Sequence, residues 1–277
     1  MVSGALLINC GASVGRPPAS KARALAETPN GTDLHESHHV RFGLPRDADP
    51  RDDYLIDRGA YVASYNPKRG VANWVAWRLT ADDLGTTDRS DAFRADDRLP
   101  LDFYRVLSTD YKGAGYDRGH LCPSAHRTRD ASTNSTTFLM TNMMPQVHAL
   151  NAGPWKGIET YERELVAKQG QDVYVVAGGI FRTNPKTIGR GVAVPAASYR
   201  VTIVVRPGQG PSDVTNATPV LAVEMPNDIS AKGRHWAEFR VSVDDVERDT
   251  GYDYLSGLPD EVEAGLEARA SGGLGTP

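Results

Sequence analysis

The chain has 277 residues, of which 40% are hydrophobic and 24% are charged, a composition that predicts one globular domain with a sizeable core. Its 31 basic and 35 acidic residues give a net charge of −4, which argues against a protein that coats nucleic acid by bulk attraction. Only two cysteines occur, Cys10 and Cys122, and they exclude both a disulfide framework and a cysteine-rich zinc site.

The first part of the chain is predicted to be a leader. Residues 1–10 resemble the apolar tail of an export segment, and Leu7 to Cys10 resembles a lipoprotein cleavage box in which Asn9 replaces the usual small residue. Residues 11–39 lack an apolar period, which is typical of disorder. We predict a disordered leader over 1–39 and export to the medium or periplasm, with a lipid anchor left open and a mitochondrial location as the alternative.

From about Val40 onward, β-type runs alternate with turn clusters. They predict these strands: Tyr61–Tyr65, Asn73–Leu79, Val173–Ile180, Tyr199–Val205, Val220–Met225 and Phe239–Val243. Uniformly apolar Val173–Ala177 indicates a central strand that is buried on both faces. The chain contains no run of about 18 apolar residues, so we expect no membrane span.

Two helices are predicted from their start and stop signals. One follows Gly153-Pro154 and ends at Gly170, and a short terminal helix covers Glu261–Ala270. The fold class is therefore α+β, with a mostly antiparallel central sheet flanked by helices. We predict a single domain over residues 40–270 and a flexible tail over 271–277.

Two segments of the sequence are rich in polar residues that a hydrophobic core does not need. The first carries Asp117-Arg118-Gly119-His120, and the second runs from Thr141 through Asn151 to Trp155. A neutral imidazole, with an ordinary pKa of about 6.5, suits proton abstraction near neutrality. A lone histidine is more often structural, but the neighbouring charges of both signs favour a functional His120.

Four residues with a spacing of four share one face of the helix after Asn151. They are Asn151, Trp155, Glu159 and Arg163, and successive members lie about 6 Å apart along the axis. The face presents an amide, a carboxylate and a guanidinium in sequence. The alternative is a surface pair of Glu159 with Arg163, a core Trp155 and a capping Asn151.

These motifs, in this order, resemble the active site of the DNA/RNA non-specific endonuclease family, which includes mitochondrial endonuclease G and secreted bacterial nucleases. The run Asp-Arg-Gly-His is followed by Asn-x-x-Pro-Gln and by Leu-Asn-x-x-x-Trp-x-x-x-Glu-x-x-x-Arg. Further similar segments extend the resemblance from about Tyr54 to Pro259: Asn73–Leu79, Phe93–Asp96, Val194–Arg200 and Val241–Gly251. The resemblance implies a ββα-metal (His-Me finger) fold.

The resemblance also implies roles in catalysis. His120 would be the general base, Asn151 the only direct protein ligand of the metal, and Glu159 the holder of a metal-bound water. Four arginines would contact substrate phosphate, namely Arg118, Arg163, Arg182 and Arg200. A further upstream arginine would stabilise the transition state, where Arg89 is the best match and Arg94 competes with it.

Other residues are expected to support this site. Asp117 would orient the loop, while Asn142, Gln146 and Trp155 would brace it. His126 is discounted as a metal ligand, because catalytic zinc sites usually assemble three protein ligands. His148 is open between a spectator and a supporting group, and Cys122 is expected to be a small buried residue. Basic residues between Phe181 and Arg206 form either a basic patch or, as the sequence alone favours, solvated strand edges.

The implied activity is hydrolysis of DNA and RNA at the phosphate backbone, with little sequence preference and with 5′-phosphate and 3′-hydroxyl products. The implied cofactor is Mg²⁺, with Mn²⁺ as a substitute. The alternative is a catalytically inactive nucleic-acid-binding protein of the same fold, and a phosphodiesterase of small substrates is a third hypothesis. A homodimer and an inhibitor protein are left open.

Overall fold

The structure is a computed structural model, and it describes Thr28, Gly31 and residues 33–270. The predicted export segment, Cys10 and the predicted tail over 271–277 lie outside the described residues. Within the described part of the chain, the helices are too short or too polar for a membrane crossing.

Eleven strands are found among the described residues. They are β1 Tyr54–Asp57, β2 Val62–Asn66, β3 Val71–Leu79, β4 Asp117–His120, β5 Met143–Gln146, β6 Asp172–Ile180, β7 Thr187–Ile188, β8 Val192–Ala193, β9 Ala197–Val205, β10 Val220–Pro226 and β11 Arg240–Val241. Seven of them form one sheet in the order β1-β2-β3-β6-β9-β10-β11. Every neighbouring pair in this sheet is antiparallel, as predicted.

Strand β6 lies at the centre of the sheet, paired with β3 on one side and with β9 on the other. The prediction of a central strand over Val173–Ala177 is confirmed. The last predicted strand is wrong at its end, because Ser242 caps a helix that begins at Val243. Its hydroxyl and the Asp245 carboxylate form a capping box, which favours helix over strand.

The α-helices are α1 Ala131–Thr136, α2 His148–Leu150, α3 Lys156–Gln169, α4 Val243–Thr250 and α5 Asp260–Glu267. Helix α3 ends at Gly170 in the left-handed conformation, as its sequence predicts. A wide turn over Asn151–Trp155 precedes it, where Gly153 leaves helical geometry ahead of Pro154. The terminal helix ends at Glu267 rather than Ala270.

The large sheet separates two apolar clusters. One contains Trp155 and Leu165 of the α3 region together with Leu121 and Met143 of the polar segments. The other contains Val246 of α4 and Leu266 of α5. Elements on the α3 side therefore position the polar segments, whereas the C-terminal helices cover the opposite face.

The folded region begins earlier than the predicted boundary at Val40. Residues 33–39 form two short helical turns, and Leu34 is fully buried in the second apolar cluster. His39 is also buried, and its ring bonds to the Gly59 carbonyl and to the Arg78 amide. The disordered leader predicted over 1–39 is therefore corrected at its C-terminal end.

Arg200 lies in the interior and not on a strand edge. Its guanidinium lies 5.2 Å from the ring centre of Trp77 and 4.3 Å from that of Trp155. It donates to the Glu162 carboxylate at 2.6 Å, and neither side chain is exposed. A side chain with no exposed surface cannot reach a phosphate, so the predicted substrate contact of Arg200 is corrected to a structural role.

This buried ion pair predicts a large loss of stability when one partner is removed. Glu162→Ala leaves the Arg200 charge buried without compensation, and we expect the free energy of unfolding to fall by about 3–5 kcal/mol. Glu164→Ala, in the same helix, removes the exposed pair with Lys168 and should cost at most about 0.5 kcal/mol. Urea unfolding of both variants provides the measurement, and equal losses would contradict the prediction.

Candidate active site

Strands β4 and β5 pair as a two-stranded antiparallel ribbon, and the wide turn and helix α3 follow β5 in the chain. The ribbon brings Asp117 opposite Gln146 and His120 opposite Met143. Gly119 allows this close pairing, because a Cβ at that position would overlap the Gln146 side chain. Gln146 is buried and donates to Ser198 Oγ at 3.0 Å, a contact between the ribbon and strand β9 that fits the predicted bracing role.

The ribbon is fastened to the start of helix α3 at both ends of β4. Asn151 Nδ2 donates to Asp117 Oδ2 at 2.9 Å, and Trp155 Nε1 donates to the His120 carbonyl at 3.0 Å. Asp117 therefore orients the Asn151 amide, while buried Trp155 fixes the backbone of His120. These bonds hold the candidate base and the candidate metal ligand in one unit.

His120 lies between two aromatic rings with only 7% of its surface exposed. Its ring centre is 4.8 Å from that of Phe138 and 5.7 Å from that of Phe93, both at steep angles. Nε2 is shielded from solvent and has no hydrogen-bond partner among the described residues. The imidazole is thus held by ring contacts rather than by a carboxylate.

An arginine guanidinium packs over each of these aromatic rings. The Arg118 guanidinium lies 4.2 Å from the centre of the Phe93 ring, and that of Arg89 lies 4.9 Å from the centre of Phe138. Burial, followed by the charges of Arg89 and Arg118, lowers the pKa of His120 to about 3. The imidazole is therefore neutral and lies next to two exposed cations.

The two candidate upstream arginines differ in position. Arg89 lies over the Phe138 ring that contacts His120, and its charge lowers the pKa of both His120 and Glu159. Arg94 instead donates to the carbonyls of Ala92 and Ser135, and it is exposed on the surface. The geometry favours Arg89 as the arginine of the site.

Glu159 is half-buried beside the interior cation. Its Oε1 lies 3.6 Å from Arg200, and 16% of its side chain is exposed. Burial raises the pKa of Glu159 to about 7, against the lowering effects of Arg200, Arg89 and Arg163.

Arg163 is partly exposed on the next turn of α3 and does not form an ion pair with Glu159. Arg182 is exposed, and its charge contributes to the lowered pKa of Asp228 but is not among the causes of the shifts at His120 and Glu159.

The remaining polar residues brace the ribbon. Buried Asn142 donates to the carbonyls of Cys122 and Thr137 and accepts from the Cys122 amide. His126 accepts from Trp77 and contacts the Glu159 carbonyl while fully buried, so discounting it as a metal ligand is consistent with its position. Exposed His148 bonds to Asp117 at 2.8 Å.

Sequence reasoning missed the two aromatic rings that hold His120. Phe93 belongs to a segment noted for its resemblance, but the sequence contains no sign of its contact with the histidine. Phe138 precedes the second polar segment and reads as an ordinary core residue. Only the fold brings the two rings together at 5.0 Å between centres.

Comparison with known proteins agrees with this geometry. Residues 42–261 match the family model described as DNA/RNA non-specific endonuclease. A nuclease of Nostoc sp. is 42% identical over 238 residues, covering 84% of this chain and 86% of that protein. Human mitochondrial endonuclease G is 31% identical over 76% of this chain and 71% of its own length.

Two further similarities concern a bacterial enzyme and a solved structure. A nuclease of Serratia marcescens is 31% identical, covering 77% of this chain and 79% of its own length. The crystal structure of an EndoG/EndoGI complex superposes with a TM-score of 0.69 and 25% identity, covering 85% of this chain and 96% of that chain. The fold is therefore the ββα-metal nuclease fold, and the chain belongs to the DNA/RNA non-specific endonuclease family as a hydrolytic nuclease.

Proposed function

We propose that this nuclease hydrolyses phosphodiester bonds within DNA and RNA, with His120 as general base and one divalent cation, and leaves 5′-phosphate and 3′-hydroxyl ends. The observation that carries the proposal is a neutral imidazole beside Arg89 and Arg118, on a strand bonded to Asn151. Hydrolysis needs a base for water, cations for the phosphate and a means of releasing the 3′ oxygen.

His120 is a weaker base in the free enzyme than its ordinary pKa of about 6.5 suggests. With the pKa near 3, the ring is unprotonated at any pH near neutrality and can accept a proton. A phosphate bound next to Arg89 and Arg118 offsets their charges and raises the pKa of the imidazole. The ring therefore becomes more basic when substrate is in place.

The side chains around Asn151 fit a hard divalent cation. Because its Nδ2 donates to Asp117, the opposite atom Oδ1 is left for a metal. Glu159 adds a carboxylate that would hold the ion through water. Few oxygen donors suit Mg²⁺, which keeps several of its own waters, and Mn²⁺ can substitute. When bound, the ion neutralises charge that grows on the phosphate and aids departure of the 3′ oxygen.

Phosphate recognition falls to the arginines around the site. Arg89 and Arg118 are exposed and Arg163 is partly exposed, so all three can reach the backbone of a nucleic acid. Contacts to phosphates carry no base information, which supports cleavage of DNA and RNA without sequence preference. Because each phosphate contact of these arginines releases counterions from the nucleic acid, binding should weaken as the salt concentration rises.

Compartment, domain organisation and assembly are also proposals. The relatives include a mitochondrial nuclease, which gives the mitochondrial alternative a precedent, and bacterial nucleases. We propose export of a single nuclease domain, which mass spectrometry of the mature N-terminus tests. An inhibitor protein has a precedent in the EndoG/EndoGI complex, and homodimerisation is a further proposal.

The division of roles between base and metal ligand gives the first test. We expect His120→Ala to lower plasmid cleavage by about 10²–10⁴-fold while Mg²⁺ binding is retained. Asn151→Ala should lose both cleavage and Mg²⁺ binding, because it removes the direct ligand. Cleavage assays with Mg²⁺ or EDTA, with calorimetric Mg²⁺ titration, measure both effects. If wild type and His120→Ala were equally inert yet both retarded DNA on a gel, the protein would be a binder.

The two upstream arginines form a matched pair for a second test. Arg89→Ala should lower kcat/KM by about 10²–10³-fold, because it removes a cation beside the developing charge. Arg94→Ala removes an equally exposed arginine whose side chain donates to the carbonyls of Ala92 and Ser135, and its kcat/KM should stay near that of wild type. Steady-state kinetics on a defined duplex provides the comparison, and the opposite ranking would assign the role to Arg94.

The pH profile should report Glu159 rather than His120. In the free enzyme the imidazole is already neutral above about pH 4, so the acid limb of kcat/KM belongs to the carboxylate with a pKa of about 7. Activity should rise with pH through this limb, since ionised Glu159 is the form that holds the cation. Protons and Mg²⁺ compete for it, so raising the Mg²⁺ concentration should move the midpoint to lower pH. A midpoint that ignores Mg²⁺, or a limb retained in Glu159→Gln, would contradict this assignment.

A further inference from the structure

Two exposed cations of the β7–β8 hairpin lie on the side of the sheet that holds the proposed catalytic site. Ile188 of β7 is buried in the apolar cluster that also contains Leu121 and Trp155. Lys186 comes directly before the hairpin and Arg190 lies in its turn, and both residues are exposed. The sequence alone leaves this basic stretch open between a binding patch and solvated strand edges.

The turn of the hairpin is fixed on the buried carboxylate of Asp110. Its Oδ1 accepts from the Arg190 amide at 3.1 Å, and its Oδ2 accepts from the Tyr104 hydroxyl at 2.7 Å and from the Leu107 amide at 2.8 Å. Gly189, with a φ of +50°, lies so close that a Cβ there would overlap Asp110. The two cations therefore belong to a backbone that is held in one position.

Each of the two cations lies over a tyrosine ring. Lys186 Nζ is 5.0 Å from the centre of the Tyr116 ring and donates to its hydroxyl at 3.4 Å. The Arg190 guanidinium is 4.9 Å from the centre of the Tyr104 ring. A ring holds a cation through its quadrupole and carries no net charge, so the positive charge is not neutralised.

This arrangement differs from that of other exposed basic residues. Arg51 pairs with the Asp49 carboxylate at 2.6 Å, for example. In the part of the chain that the structure describes, neither Lys186 nor Arg190 forms such an ion pair. Their charges are therefore held in place and remain available to an external anion.

Tyr116 connects these cations to the proposed catalytic site, because it directly precedes strand β4. Side chains alternate along a strand, so Tyr116, Arg118 and His120 follow one another on the same side, about 6–7 Å apart. Arg118 and His120 both contact the Phe93 ring, as a shared side requires. Lys186 extends this line beyond Arg118, at a spacing similar to that of successive phosphates in an extended nucleic-acid strand.

We propose that Lys186 and Arg190 form a phosphate track, which binds phosphates that flank the scissile one in a polynucleotide. The inference rests on the proposed function, because the track begins where Arg118 contacts the scissile phosphate. Tyr116 and Tyr104 are positioning residues that hold the two cations. A dinucleotide has no flanking phosphate to occupy the track, so the substrate class is polynucleotides rather than small phosphodiesters.

The test measures binding of fluorescent octathymidylate to the full chain carrying His120→Ala, by anisotropy over a range of salt concentrations. Adding Lys186→Ala or Arg190→Ala should raise Kd about fivefold at about 0.1 M salt and make the slope of log Kd against log salt shallower by about 0.7, because one phosphate contact is lost. Lys168→Ala removes the same charge from an exposed ion pair on α3 and should change neither quantity.

A second pair of variants tests the ring that holds Lys186. Tyr116→Leu removes the ring and should weaken binding of octathymidylate as Lys186→Ala does. Tyr116→Phe keeps the ring and loses only the hydroxyl, so it should bind close to the His120→Ala parent. Thermal unfolding of each variant shows that it is folded.

Two results would overturn the phosphate track. The first is a Kd and a salt slope that Lys186→Ala and Arg190→Ala leave unchanged, and the second is an equal loss in Lys168→Ala, which would indicate bulk charge alone. Because binding is measured without catalysis, the two proposals can fail separately. An inert wild type whose binding depends on Lys186 would refute the nuclease mechanism and keep the track, whereas a cleaving wild type with unaffected variants would refute only the track.

Discussion

The structure depends on two hydrogen bonds that tie strand β4 to the start of helix α3. The Asp117 carboxylate holds the Asn151 amide, and the Trp155 indole holds the His120 carbonyl. The turn between the two donors is not a regular helix, because Gly153 leaves helical geometry ahead of Pro154. Local backbone irregularity thus converts distant segments of sequence into one rigid site.

Beneath this unit, a buried cation links the helix to the sheet. Arg200 comes from the strand next to central β6, lies between two indoles and pairs with Glu162. It also lies near Glu159, so its charge attracts the one carboxylate of α3 that faces the proposed cation. The same arginine therefore stabilises the interior and keeps Glu159 in position. A hydrophobic residue of similar volume could fill the space but could not do the second task.

Sequence alone predicted the central strand, the long helix and the identity of the polar segments, because each has a strong local signal. It misjudged Arg200, since a basic residue in an alternating strand is ordinarily on a solvated face, and the partners that bury it come from other elements. It also missed Phe93 and Phe138, because their role depends on ring contacts with His120 that form only in the folded protein. Apolar period and motif spacing report local structure, whereas contacts between distant elements appear only in the fold.

The distribution of charge explains how an acidic protein can act on a polyanion. Arg89 and Arg118 stand beside His120, on the side of the sheet that carries α3. A concentration of carboxylates, Glu247 and Glu267 among them, lies with α4 and α5 on the opposite side. Net charge averages these two regions, but an approaching phosphate responds to the local potential. Separation of the charges across the sheet favours approach of the substrate by the face that holds the base, so the negative net charge and the activity are compatible.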